Sequence, residues 1–471
     1  MNKKILFFGQ HINPCKDASA KALMIIAKKL AESGCEVHCL DSELLYHPYS
    51  TEINEDGVII HTKTDQKPAD VPTAVSENIP QTTPQPAKPH HSKIRLFVRD
   101  NPILRRFYLL AHKAKSFLVR FRIASNKKIG EIGEKSAQMS VQRYYGKIYR
   151  TPHMAWLDAP TLIYNLVAGL HEKYKFDVVI PVVDPFVALV AAFWLKEKNP
   201  NITLIIYSLD ALSDIGEYES YSAKTMEAAG WEWEKRVFPH CAAIIEMASH
   251  EQHYLTPPFN RFADKMYYAD PPFLLDNSNP KTEYFSSGYT SFLYMGILHN
   301  SFIPIDYSLG FFARLSSDLK FKFYVYGWGP DEQLVKRFEK ETNGTIEHRE
   351  RVPMSEVAKI QKCCDVLVSV GTKNSNQISS KIFEYMSSGG KIVHFQSNTN
   401  DVCLPYFDRY PNVIALRAWD SFEENAAKLN DFLSKPLVEV NFEKLTELFP
   451  EALPEFTQNI ILKTISEVEK Q

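Results

Sequence analysis

No run of apolar residues in this 471-residue chain is long enough to span a bilayer, so any contact with a membrane is expected from one side only. No excess of either charge exists: 54 Lys and Arg face 56 Asp and Glu, a formal net charge of -2, and the chain as a whole is not expected to bind nucleic acid. The seven cysteines follow no metal-ligating spacing; Cys363 and Cys364 are adjacent and the rest are scattered. A reduced, cytoplasmic setting is the simplest reading of such cysteines. No Asp-x-Asp motif follows a strand, so no manganese or magnesium site of that kind is expected and no metal ligand is assigned. Met1 to Gly9 has a charged start and a short apolar run, but it leads into a polar loop rather than a small-residue cleavage site, which reads as a first strand and not a signal peptide.

Hydrophobic residues make up 45% and charged residues 23%, the balance of a soluble globular enzyme, and the length exceeds one core, so two domains are expected. Lys4 to Phe8 reads as a buried strand, about Ser19 to Ser33 as a helix with Leu23, Ile26, Ala27 and Leu30 at helical spacing, and Glu36 to Leu40 as the next strand after Gly34. In the loop between them, Lys16 and Asp17 either face an acceptor or are solvated loop charges. The alternation resumes with helix 162–174, strand 177–183, helix 185–198 and strand 203–208. Asp210 follows that last strand, where open α/β sheets place reactive groups; a turn-capping aspartate is the competing reading. A Pro- and Asn-rich loop, 270–288, reads as the interdomain linker.

Two stretches break the pattern. From 62 to 92 the chain turns to proline, threonine, glutamine and lysine, too polar to offset its chain entropy, and reads as a flexible insertion. From 93 to 128 eleven Lys or Arg face a single acid, Asp100, interleaved with apolar residues such as Phe97, Leu104, Phe107 and Phe117. A basic amphipathic helix of this kind suits an anionic membrane surface, and it equally suits a cap on the first domain with a solvated basic face.

The stretch 365–395 organises the second half: strand 365–370, a polar loop from Gly371 to Ser379, helix 380–388, a Gly-Gly stop and strand 391–395. Ser379 or Ser380 can cap the helix, and the loop is expected at the carboxyl end of a strand, where ligands bind. Lys381 stands in the first helical turn, where the helix dipole disfavours a cation, so a ligand is the expected reason for it. Glu384, three residues on, shares its face. The bland reading is a surface Lys–Glu pair.

The run Asn376-Gln377-Ile378-Ser379-Ser380-Lys381-Ile382-Phe383-Glu384-Tyr385-Met386 resembles the nucleotide-sugar-binding segment of family 4 glycosyltransferases, particularly the bacterial capsule, lipopolysaccharide and exopolysaccharide enzymes. Phe292 to Gly296 and Phe321 to Gly327 resemble that family's two glycine-ended strands, Arg351-Val352-Pro353 its base-holding turn, and Glu234, Ala242, Ala243, Ile244, Ile245 and Ser249 its passage near the end of the acceptor domain. Ser379 departs from the usual proline, Asn376 from the first glutamate of the pair, and His299 and Asn300 from the usual diphosphate-gripping Arg and Lys-Gly.

The resemblance implies an α/β fold of the GT-B type, two Rossmann-like domains facing an interdomain cleft, with the basic helical insertion in the first. The domains would be 1–61 with 129–275, and 276–435, followed by C-terminal helices 436–471 of which the last returns to the first domain. It implies a metal-independent transfer from a nucleotide-sugar, as co-substrate rather than cofactor, to a glycan or lipid-linked acceptor in surface polysaccharide biosynthesis, with retained anomeric configuration. The protein would then be cytoplasmic or peripheral on the inner face of the membrane. Lys381 would stabilise the leaving diphosphate, and Asp210 would contact the acceptor or reacting sugar. Gly296, His299, Gly327, Val352, Asn376, Gln377, Ser379, Ser380, Lys381 and Glu384 would line the donor site, Glu384 on the ribose, with Lys16 and Asp17 on the acceptor side. A catalytically silent partner in a polysaccharide-assembly complex and a nucleotide-sugar epimerase of the same fold remain open.

Overall fold

A computed structural model describes residues 3–9, 11–13, 17–42, 44, 50–64, 159–183, 186–216, 222–300, 302–315, 319–373 and 376–470. The basic segment 93–128, Lys16, and all of the proline-rich 62–92 stretch except Thr62, Lys63 and Thr64 lie outside the described residues. The described residues of 1–66 and 158–471 belong to one compact unit.

Short apolar runs alternate with segments of helical period, and each kind folds as its period dictates. The strand Val178–Val183 is buried along its whole length, as a parallel strand covered on both faces must be. The first lobe contains β1 Lys4–Gly9, α1 Ala18–Glu32, β2 Glu36–Asp41, β3 Ser50–Glu55, β4 Val58–Lys63, α2 Ala159–Tyr174, β5 Val178–Val183, α3 Phe186–Lys198, β6 Thr203–Ser208, α4 Ala223–Val237, β7 Ala243–Met247, α5 Glu251–Tyr254 and β8 Met266–Ala269. Its sheet has the order β3-β4-β2-β1-β5-β6-β7-β8, parallel except for the β3–β4 hairpin. The second lobe contains β9 Thr290–Ile297, α6 Ile305–Arg314, β10 Phe321–Trp328, α7 Glu332–Glu341, β11 Ile346–Arg349, α8 Met354–Cys363, β12 Val366–Val370, α9 Lys381–Ser387, β13 Lys391–Gln396, α10 Leu404–Phe407, β14 Val413–Arg417 and α11 Phe422–Ser434. Its parallel sheet runs β11-β10-β9-β12-β13-β14.

Strand β4 includes Thr62 and Lys63, so the sheet continues two residues past the change in composition that marks the start of the insertion. Thr62 is fully buried there, pairing with Thr51 across the hairpin. One apolar cluster runs from Ile5 and Leu23 of the first lobe through Phe273 and Leu274 of the connecting loop to Leu293, Ile382 and Phe383 of the second. Beyond the second sheet, α12 Phe442–Leu448 leads to α13 Pro454–Val468, which lies against α1. There Gln458 donates to Ser33 Oγ at 2.6 Å, and Glu455 pairs with Lys29 at 3.0 Å. No helix among the described residues is long and apolar enough to cross a membrane.

Candidate functional site

The carboxyl ends of β9 and β10 finish side by side, with Gly296 paired to Gly327. A β-carbon on Gly296 would stand 2.1 Å from Cε of Lys381 and 2.7 Å from its Nζ, so only glycine leaves the groove in which that lysine lies. Gly327 backs onto the Gly296 carbonyl with equally little room. Lys381 opens α9, and its ammonium forms no hydrogen bond or ion pair with any described residue; it lies 6.0 Å from the centroid of the Tyr294 ring. Burial pulls its pKa below the ordinary lysine value, and Glu384 opposes that pull. Ser380, at the N-cap position, makes no capping hydrogen bond, contrary to the expectation for it. Ser379 accepts from the Ile382 amide through its carbonyl at 3.2 Å.

Glu384 reaches the other lobe. One of its oxygens accepts from Lys21 Nζ of α1 at 2.5 Å, and the other from Gln361 at 3.4 Å. Two further contacts join the lobes. The Gln377 amide donates to Asp210 Oδ1 at 2.8 Å, and the Asn376 amide donates to the Asp214 carbonyl. The loop from Gly371 to Gln377 is held from behind by Ser397, which donates to the Gly371 and Thr372 carbonyls, and by Thr372, which donates to the Gln377 carbonyl.

Asp210 follows β6, its carbonyl accepting from Ser208 Oγ at 3.2 Å and its carboxylate from Gln377, and a dense polar network is formed by the residues after it. Burial raises its pKa, against the opposing effects of His250 and Gln377. Two residues after Leu212, burial pushes the Asp214 carboxyl up, but a 3.0 Å hydrogen bond and the charge of His250 hold it below the usual range. Ser213 donates through its backbone and its hydroxyl to Glu234 at 2.9 and 2.6 Å, and its hydroxyl lies 2.7 Å from His253 Nε2. Tyr254 donates to Glu234 at 2.9 Å and to Glu246 at 3.4 Å. Both glutamates are buried: Glu234 is pushed up to about 6, and Glu246 is raised further by burial and by Glu234 beside it.

The remaining candidates divide. His299 sits in the turn after β9, its carbonyl accepting from Phe302 and Ile303 at 2.9 and 2.7 Å. Val352 is half-buried in the turn before α8, beside Arg351, whose guanidinium lies over the half-exposed Trp328 ring at 5.3 Å. Asp17 caps α1, accepting from the Ala20 amide at 2.8 Å. The structure therefore brings together Gly296, Gly327, Lys381, Glu384, Asn376, Gln377 and Asp210, and adds Lys21, Asp214 and His250. Lys21 did carry a signal: like Lys381, it is a cation near the amino end of a helix.

A cavity of about 620 Å³ opens at the amino ends of β9, β12 and β13, lined by Thr290, Asp365, Val366 and Lys391. That is the opposite end of the sheet from Gly296 and Lys381, and ligands of open parallel sheets bind at carboxyl ends. No cluster of three or more His, Cys, Asp or Glu placed to hold a metal ion occurs among the described residues.

No family model matches this sequence, and no curated protein is detectably similar to it. Solved structures are similar in fold. An α,α-trehalose-phosphate synthase (UDP-forming) from Burkholderia xenovorans, in complex with glucose-6-phosphate, is 10% identical over 98% of this chain and 100% of its own, with a TM-score of 0.59. A glycosyltransferase from Rickettsia africae ESF-5 is 10% identical over 100% of this chain and 99% of its own, with a TM-score of 0.54. With two largely parallel sheets in two lobes joined through one apolar cluster, this chain has the GT-B fold.

Proposed function

We propose that this chain is a metal-independent glycosyltransferase that moves a sugar from a nucleotide-sugar to a glycan or lipid-linked acceptor in surface polysaccharide assembly, with retention of the anomeric configuration. One observation carries the reading. Lys381 holds an ammonium without a hydrogen-bonding partner among the described residues, in a glycine groove at the carboxyl ends of β9 and β10. A half-buried cation of this kind costs stability unless an anion completes it. The donor diphosphate supplies that anion, and as the bond from the anomeric carbon to the diphosphate oxygen breaks, its electron pair goes to an oxygen that the ammonium stabilises. The acceptor hydroxyl oxygen forms the new bond to the anomeric carbon and its proton passes to the departing diphosphate oxygen, with Asp210, on the opposite lobe, beside that hydroxyl. The fold alone leaves the activity open, because one fold hosts many functions; the neighbour described as UDP-forming is in keeping with a nucleotide-sugar donor and no more.

The test is calorimetric titration with UDP, GDP and CDP and their sugar conjugates. Binding of one series, lost in Lys381→Ala, is the expected result, and no binding to any of them rejects the reading. A second reading has its own support: Glu384, Asn376 and Gln377 are all engaged by the first lobe, which suits a catalytically silent partner in an assembly complex. Donor hydrolysis or transfer above background separates the two. An epimerase would release a new nucleotide-sugar without any acceptor.

A further inference from the structure

Lys21 and Glu384 are 363 positions apart in sequence and 2.5 Å apart in space, with side chains only 22% and 18% exposed. Glu384 thus pairs with the ammonium of Lys21 from the first lobe and also acts electrostatically on Lys381, one helical turn before it. Two cations and one carboxylate leave one positive charge in excess, and Lys381 donates no hydrogen bond to a described residue. A nucleoside diphosphate brings at least two negative charges. Of the strand-end loops that border Lys381, 297–304 and 327–331 contain no lysine or arginine with which to meet the second, and 371–380 contains one, the exposed Lys373. Gln361 also touches Glu384, so that carboxylate keeps a hydrogen bond when Lys21 departs.

We propose that Lys21 is a diphosphate-binding residue that the first lobe contributes to the donor site: when the donor arrives, its ammonium leaves Glu384 for the diphosphate and frees Glu384 for the ribose hydroxyls. The proposal rests on the nucleotide-sugar reading of Lys381. It makes donor binding depend on both lobes, since half of the charge that meets the diphosphate comes from α1.

Titrations of the full chain with UDP, GDP, CDP and uridine test it. Lys21→Gln, which still donates to Glu384, is expected to weaken the bound nucleoside diphosphate about tenfold or more, as for removal of one partner of a desolvated charge pair. It leaves the affinity for uridine unchanged, and Lys21→Arg stays within about threefold of the wild type. The double variant Lys21→Met with Glu384→Gln removes one cation and one carboxylate together, so the local excess of one positive charge is unchanged, and it is expected to bind the diphosphate no more tightly than Lys21→Gln. Equal or tighter diphosphate binding by Lys21→Gln overturns the proposal, because the lysine is then only a lock that competes with the ligand. An equal loss of uridine overturns it too. If the wild type binds none of the nucleoside diphosphates, the donor reading falls and this proposal with it.

Discussion

Gly296 and Lys381 occupy what would be one space: the lysine Cε lies 2.1 Å from where the glycine would carry a β-carbon. The two residues belong to different elements, a strand end and a helix start, and neither explains its own identity. Together they do. A strand-end glycine is needed because a side chain crosses it, and that side chain crosses it because its charged end belongs at the carboxyl edge of the sheet.

Gly296→Ala is therefore expected to act on binding and not on folding. The atoms it would strike hardest are the far end of a flexible side chain, which can swing aside at little cost, and the buried Tyr294 hydroxyl at 3.1 Å need give only by a few tenths of an ångström, so denaturant stability should fall by about 1 kcal/mol. The ammonium, however, is displaced from its groove. Affinity for the nucleoside diphosphate, measured by calorimetry, is expected to drop about tenfold or more. Unchanged affinity would show that the position of Lys381 does not matter to the ligand.

Lys381→Met tests the charge itself. Burial lowers the lysine pKa, so the folded state holds that proton less tightly than the unfolded state does. The lysine's contribution to stability is thus fully present above the unfolded pKa and is lost as pH falls through the folded one; at neutral pH carrying the ammonium is a cost. The methionine variant is expected to melt at the same temperature or higher while losing donor affinity, a trade between stability and function. In the wild type, affinity should fall as pH rises through the lowered lysine pKa, still below the ordinary 10.5. In the variant that fall should be missing.

Glu234 gives a pH signature in the first lobe. Its folded pKa of about 6 stands above the ordinary 4.5, so the folded state favours the protonated form. The sign follows: its contribution to stability is present at low pH and is lost as pH rises through the window between those values. A gap of that size corresponds to about 2 kcal/mol. Glu234→Gln removes the titration while its amide group can still meet Ser213 and Tyr254. Denaturant unfolding of the two proteins between pH 4 and 7 should show the variant gaining on the wild type by that amount as pH rises, and parallel curves would refute the assignment.

The alternation of strand and helix was legible, because burial on two faces writes a continuous apolar run and burial on one stripe writes a period near 3.6. Val178–Val183 and Val366–Val370 announce themselves in that way. The hairpin β3–β4 did not, since Ser50–Glu55 is an edge strand with almost no buried residue to mark it. Helix α7 is also hard to read, having one buried residue, Val335. At the site, a cation near a helix start and a glycine at a strand end are local signs, and they led to Lys381 and Gly296. The pairs Lys21–Glu384, Gln377–Asp210 and Asn376–Asp214 are not local: each joins residues more than 160 positions apart. Periodicity reports that a residue is buried and never names the residue it meets.

Gly371 puts the same reasoning to a stricter test, because its neighbour cannot move. It follows β12, and a β-carbon there would stand 2.2 Å from Asp401 Oδ2 and 3.3 Å from His394 Nε2. Unlike the free end of Lys381, that carboxylate is fixed. It pairs with His394 at 2.8 Å, His394 reaches on to Ser369 at 3.1 Å, and the other carboxylate oxygen accepts from the Cys403 amide at 3.0 Å. His394 and Asp401 are both buried, and His394 holds the Asp401 carboxyl below its usual range despite that burial. Gly371→Ala must therefore push the β12–α9 loop outward or break a buried hydrogen bond. The expected loss is about 2 to 3 kcal/mol in denaturant unfolding, the cost of overpacking a rigid site. Because this loop carries Asn376 and Gln377, the contacts to Asp214 and Asp210 should loosen as well. Asp401→Ala alone is destabilising, since it leaves His394 buried without its partner. The double variant should cost less than the sum of the two single ones, because the carboxylate that obstructs the new methyl is already gone. Strict additivity would mean that Gly371 and Asp401 do not constrain each other, and that something else requires glycine at the end of β12.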